Sequence, residues 1–183
     1  MSETSAAHHE RYDDALVETI LAEARTIAMV GASANPNRPS SFVMRYLMDK
    51  GYEVHPINPG HAGGAINGRT AYATLADVPI PVDMVDVFRA SDAVPGIVDE
   101  LLALERPPKV LWLQLGVRND AAAARAETAG VTVIQNRCPK IEYGRLSGEI
   151  SWAGVNSRRM SARRPSRLAG FQHLGLAQRP RVD

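Results

Sequence analysis

The chain has 183 residues, 45% of them hydrophobic and 5% aromatic, enough to bury one sizeable core in a single domain. Its net charge of +1 hides an asymmetry: residues 1–156 carry fourteen basic and nineteen acidic side chains, whereas residues 157–183 carry seven arginines and one acid. One cysteine, Cys138, excludes a disulfide framework and a cysteine-rich metal site. With no secretory leader or membrane segment legible, the expected location is cytoplasmic.

Residues 1–12 are polar and are expected to be loose. From Asp13 to Ala24 the apolar positions Leu16, Val17, Ile20, Leu21 and Ala24 recur three and four apart, which predicts an amphipathic helix against the sheet edge. The stretch RTIAMVGASANPNRPSS, Arg25–Ser41, then reads as strand, turn and helix start. Ile27–Val30 is an apolar run suited to a strand buried on both faces, and it ends at Gly31. Gly31, Ala32 and Ser33 keep side chains small where backbone approaches a ligand, and Ser40 or Ser41 is expected to cap the helix that follows. A helix start offers free N–H groups and partial positive charge to an anion such as a phosphate. The turn lacks both the three-glycine dinucleotide fingerprint and the P-loop lysine.

Phe42, Val43, Tyr46 and Leu47 are expected to share one helical face, with Gly51 as the stop and Tyr52–Ile57 as the second strand. Asn58 to Gly64, NPGHAGG, makes a glycine-rich loop at the carboxyl end of that strand, where open parallel sheets bind ligands. Gly68–Pro81 reads as irregular, with a turn of helix near Leu75. Asp83–Phe88 is the third strand, its Asp83 and Asp86 read as solvated or capping groups. Ser91 or Asp92 starts a helix bearing Val94, Ile97, Val98, Leu101 and Leu102, with Pro95 in its first turn. Lys109–Leu115 is a buried strand closed by Gly116. Asn119 or Asp120 opens an alanine-rich helix to Thr128 that stops at Gly130, and Val131–Ile134 is the fifth strand. Ile150–Val155 suggests a last short strand.

Strands alternating with helices over short connections predict an α/β fold: a three-layer, Rossmann-like, doubly wound parallel sheet. The expected boundaries are a loose start at 1–12, one domain over 13–157 and a basic, disordered tail at 158–183. Right-handed crossovers bring the loops after Val30, Ile57, Phe88, Leu115 and Gln135 to one edge.

Five stretches, VGASANPNRPS, YEVHPINPGHAGG, VDMVDVFR, WLQLGV and NRCPKIEYGRL, carry a family resemblance from about Arg25 to Leu146. In order and spacing the chain resembles the stand-alone CoA-binding domain proteins, which are similar to the first domain of the succinyl-CoA synthetase alpha subunit. The resemblance implies that Gly31, Ala32 and Ser33, with Arg38 nearby, face the CoA phosphates, and that Asn58 and Pro59 border the nucleotide. It implies that Phe88 and Arg89 form the turn after strand three, that Gln114, Leu115 and Gly116 line the pantetheine path, and that Asn136 to Cys138 form the asparagine–cysteine turn. The synthetase has a lysine in the second loop where this chain has His61.

The chemistry of the residues agrees with those roles. Arg38 and Arg89 suit phosphates; Phe88, Pro59, Leu115 and Gln114 suit apolar walls with a polar anchor. Cys138 reads first as a small buried hydrophobe; the sharper alternative is a low-pKa thiol near Arg137 and Lys140 that forms a mixed disulfide with CoA. The synthetase histidine belongs to a second domain without counterpart here, so that activity is expected to be absent. No triad, carboxylate pair or metal-ligand spacing is legible. The leading expectation is therefore binding of CoA or acyl-CoA without a catalytic site of its own. The alternatives are an enzyme of CoA thioesters or nucleotides completed by a partner, and an NAD(P) domain. Against the last stands INPGH, where an acid would hold the ribose. The expected partners are the CoA ligand and either a second copy or an acyl-CoA enzyme, not a membrane. The basic tail lacks the aromatic platform that nucleic acid binding favours.

Overall fold

The structure is a computed structural model that describes residues 9–149. The strand expected at 150–155 and the basic tail lie outside the described residues. In chain order the elements are α1 (Asp14–Glu23), β1 (Thr26–Val30), α2 (Pro39–Asp49), β2 (Glu53–Ile57), β3 (Ala65–Ile66), β4 (Arg69–Thr70), β5 (Met84–Val87), α3 (Val94–Leu102), β6 (Val110–Leu113), α4 (Asp120–Thr128), β7 (Thr132–Ile134) and α5 (Pro139–Leu146). Five strands form one parallel sheet in the order β2-β1-β5-β6-β7. From β1 the chain winds outward first to β2 and later to β5 on the other side, so the switch point lies between β1 and β5. The predicted doubly wound α/β fold is the observed one.

A parallel sheet needs both faces covered, and side chains alternate to supply the two cores. Ile27, Met29, Met84, Trp112 and Ile134 face α1, α2 and α5, where Val17, Leu21, Val43, Met44, Leu47 and Tyr143 meet them. Ala28, Val85, Val87, Leu111, Leu113 and Val133 face α3 and α4, whose Val98, Leu101, Ala123 and Ala126 close the second layer. Among the described residues no helix is long and apolar enough to cross a membrane.

Several local expectations are revised. Neither Ser40 nor Ser41 caps α2: Arg38 occupies the N-cap position without a side-chain bond, and Pro39 takes the first turn, where its missing N–H costs nothing. Phe42 is exposed rather than on the buried face, which Ser40, Ser41, Val43, Met44 and Leu47 form instead. The stretch Gly68–Pro81, expected to be irregular, begins inside a hairpin of β3 and β4 turned by Asn67 and Gly68 in the positive-φ pair of a tight Asn-Gly turn, and it carries the expected turn of helix at Leu75–Asp77. Asn67 then fastens the hairpin to α2, its Nδ2 donating to the Ser41 carbonyl at 3.1 Å. Helix α5 was not foreseen; Pro139 at its first turn was the legible signal.

Residues 9–12, expected to be loose, are anchored. His9 is buried, its Nδ1 2.8 Å from the Tyr12 hydroxyl, which accepts from the Gln135 backbone N–H at 2.7 Å. Arg145 ties α5 to α1 by donating to both Asp14 oxygens at 2.9 and 2.8 Å and to Glu142.

The two central strands are clamped at their entry by Asp83, which acts as the capping group the sequence suggested. Its Oδ2 accepts from the backbone N–H of Arg25 at 2.8 Å, that of Thr26 at 3.0 Å and the Thr26 hydroxyl at 3.1 Å. Replacing it strands two backbone donors at the start of β1. Asp83→Ala is expected to lower stability by about 2–3 kcal/mol, since bonds to a charged acceptor contribute about 1.5–3 kcal/mol each and do not add fully. A urea midpoint unchanged from wild type would contradict this assignment.

Candidate functional site

All five loops anticipated from the sequence leave the carboxyl ends of their strands on one edge of the sheet. The turn after β1 is held in place by backbone: Gly31 N–H donates to the Ile57 carbonyl at 3.0 Å, and Phe88 N–H donates to the Val30 carbonyl at 2.8 Å. Gly31 has φ +84°, and a Cβ there would stand 2.5 Å from the Phe88 carbonyl oxygen and 3.0 Å from Arg89 Cδ. Glycine at this position is therefore required by the neighbouring backbone before any ligand is considered. The same contact brings the Arg89 side chain over the turn.

Beyond Gly31 the loop is internally bonded. Ser33 N–H donates to Ser40 Oγ at 3.1 Å, and Asn35 and Asn37 are turned by Ser33 Oγ and Asn35 Oδ1 at 3.2 and 2.9 Å. Ala32 is buried, and its carbonyl accepts from Asn58 Nδ2 at 2.7 Å, while Asn58 Oδ1 accepts from Gly60 N–H at 2.9 Å. The Asn58 amide thus joins the first loop to the second through its Nδ2, while its Oδ1 turns the second loop itself. Pro59 opens the single-turn helix Pro59–His61 and is exposed, as is Arg38.

A second group gathers over β6 and β7. Asn136, with φ +54°, places its Oδ1 to accept from Gly116 N–H at 2.8 Å, and its own N–H donates to the Val117 carbonyl at 3.2 Å. Leu115, next to Gly116, is 57% exposed, an apolar side chain left open at the carboxyl edge. Cys138 is buried at the N-cap position of α5. Burial pushes its thiol up from the ordinary value, outweighing the backbone bonds and Lys140 that favour the thiolate. The low-pKa reading of Cys138 is corrected accordingly: it packs as a small apolar group.

Gly31 to Ser33, Asn58, Phe88 and Arg89 therefore form one cluster over β2, β1 and β5. Gln114 to Gly116, Asn136 and Cys138 form another over β6 and β7. Asp86, expected to be solvated or capping, lies between them. Asp86 is neither solvated nor capping; it is 0% exposed, in register with Met29 and Trp112, and accepts from Gln114 Nε2 at 2.8 Å. Its central place within the run MVDV was the available signal, since a strand buried on both faces buries any acid it contains.

A family model described as CoA binding domain matches residues 25–144. The Bacillus subtilis protein YneT is 36% identical over 127 residues, 69% of this chain and 91% of that protein. A solved structure from Thermus thermophilus is 39% identical with a TM-score of 0.70, covering 74% of this chain and 99% of that one. The alpha subunit of the ADP-forming acetate–CoA ligase I of Pyrococcus furiosus is 31% identical over 80 residues, 42% of this chain but 17% of that subunit.

The Asp86 carboxyl makes a measurable demand on pH. Burial raises it from 3.8 to about 7, against the lowering effect of the Gln114 bond. The folded protein holds this proton to a higher pH than the unfolded chain, so the contribution to stability is full below pH 3.8 and lost as pH rises through about 7. Relative to Asp86→Asn, wild type is expected to lose about 2–4 kcal/mol of stability between pH 4 and pH 8. Parallel denaturant-derived pH profiles for the two proteins would contradict the buried acid.

Proposed function

The chain belongs to the CoA binding domain family, and from that premise we propose that its ligand edge binds CoA or an acyl-CoA without completing a catalytic site of its own. The observation that carries the proposal is the seating of Arg89 over the Gly31 turn. A guanidinium there stands beside the small-residue turn and the start of α2, where a pyrophosphate gains bidentate bonds and the favourable end of the helix dipole. Arg38, exposed at the N-cap position of the same helix, supplies a second cation.

Supporting roles follow from the two clusters. Phe88 and Pro59 wall the nucleotide end, with Asn58 holding the two loops at their separation. Gln114, Leu115 and Gly116 line the path of the pantetheine arm, and Asn136 fixes its width through Gly116. Cys138 closes the far end as packing rather than as a nucleophile.

A second reading, in which the chain acts on a CoA thioester with a partner subunit, is favoured by the likeness to a ligase alpha subunit, of which it matches 17%. Under that reading turnover of an acyl-CoA requires the added partner, and the purified chain alone shows none.

Calorimetry with CoA, acetyl-CoA, NAD and NADP separates the binding classes: heats are expected with the CoA species only. Arg89→Gln is expected to weaken CoA about tenfold, about 1.4 kcal/mol, with the melting temperature unchanged. Gly31→Val does not serve as this test, because it disturbs Phe88 as well. NAD binding with no heat for CoA would overturn the proposal.

A further inference from the structure

Beneath the ligand edge, the Asp86–Gln114 hydrogen bond has a direction. Gln114 Nε2 donates to Asp86 Oδ1 at 2.8 Å, which turns the donor end of the carboxamide inward. Gln114 Oε1 accepts no hydrogen bond from the described residues, and Gln114 itself is 6% exposed. Asp86 Oδ2 is buried without a partner among the described residues. The register neighbours Met29 and Trp112 do not titrate. Cys138, in the turn between β7 and α5, is the titratable group on which the Asp86 charge acts. No charged side chain of α1, α2 or α5 enters the balance of the carboxyl itself, which is set by burial and by Gln114.

A carboxamide carries a donor end and an acceptor end, exchanged by half a turn about its last bond. A carboxylate only accepts, whereas a carboxylic acid also donates. We propose that Asp86 is a positioning residue that sets which end of the Gln114 amide faces the ligand edge. With Asp86 ionised, the NH2 group stays inward and Oε1 is presented as an acceptor for an N–H group of the ligand. With Asp86 protonated on Oδ1, the acid donates to Gln114 Oε1, and the NH2 group turns outward as a donor for a ligand carbonyl. One proton moves onto the carboxyl and no covalent bond of the ligand changes. Burial places the titration near neutrality, so both states are populated at ordinary pH. The ligand this edge would discriminate carries secondary amides, as the pantetheine arm of CoA does. That part rests on the CoA reading; the polarity of Gln114 does not.

The test is nitrogen-15 NMR of the Gln114 side-chain NH2 group, assigned by its loss in Gln114→Leu, between pH 5.5 and 8.5. In wild type the resonances are expected to titrate, with the NH2 protons at least tenfold more protected from exchange above the midpoint than below it, after correction for the rise of intrinsic amide exchange with pH. In Asp86→Asn, which keeps the shape of the side chain, the titration is expected to vanish. Resonances that do not titrate in wild type, or that titrate equally in Asp86→Asn, overturn the proposal. CoA calorimetry over the same range supplies the ligand arm. After subtraction of the Asp86→Asn profile, which removes the titration of the ligand phosphate near about pH 6, at least a threefold change in affinity is expected to remain. CoA binding with identical profiles in the two proteins overturns the ligand arm while leaving CoA as the ligand. Absence of CoA binding in wild type overturns the CoA reading, and the NMR titration still decides the polarity of Gln114.

Discussion

The carboxyl edge of the sheet depends on how closely the end of β1 approaches the end of β5. The Phe88 carbonyl occupies the space a Cβ at Gly31 would need, so the two central strands deliver their loops almost in contact. From that approach the rest follows. Phe88 N–H bonds back to Val30, Gly31 N–H bonds to Ile57, and three neighbouring strands end in register. The chain winds outward in both directions from these central strands, which leaves a crevice above them that no crossover covers. Asn58 and Asn136 then work as braces, each joining one loop to its neighbour by a side-chain amide or amide oxygen. The edge is thus held, and its loops are shaped, by hydrogen bonds within the protein.

Polar groups inside this sheet are few and placed with purpose. Asp83 lies where β1 enters and satisfies backbone donors that a parallel strand would otherwise leave unpaired. Asp86 lies one residue before the end of β5, at the opposite side of the sheet, with one oxygen bonded and the other enclosed without a partner. Desolvating a carboxylate costs more than a single neutral amide returns, so the buried acid is retained against stability. In the role we propose, that cost is offset by control over which end of the Gln114 amide faces the carboxyl edge.

The arginines divide by what surrounds them. Arg145 is neutralised by two carboxylates and serves to join α1 and α5. Arg137 lies over the Tyr12 ring and bonds the Asn136 and Glu10 carbonyls, which anchors the start of the chain against the end of β7. Arg89 stands over the first turn. Equal formal charges thus serve fastening in two places and stand exposed at the carboxyl edge of the sheet in the third, and only their neighbours distinguish them.

The amino-acid sequence alone determined the five strands of the parallel sheet and the edge on which the loops meet, because apolar runs such as VLWL and IAMV bury both faces and right-handed crossovers bring the carboxyl ends to one side, whereas the strand order β2-β1-β5-β6-β7 came from the structure. The sequence marked Gly31, Asn58 and Gly116 as turn or loop residues from their local pattern, and Asn136 through the family resemblance. The tertiary structure alone decided why they are needed: Gly31 by the approach of Phe88, Asn58 and Asn136 by the loops they bridge. It alone raised the Cys138 thiol, exposed Phe42 and enclosed Asp86 against Gln114. Those outcomes depend on residues far apart in the chain, and desolvation and close approach are properties of the packed neighbourhood that no local pattern of residues carries.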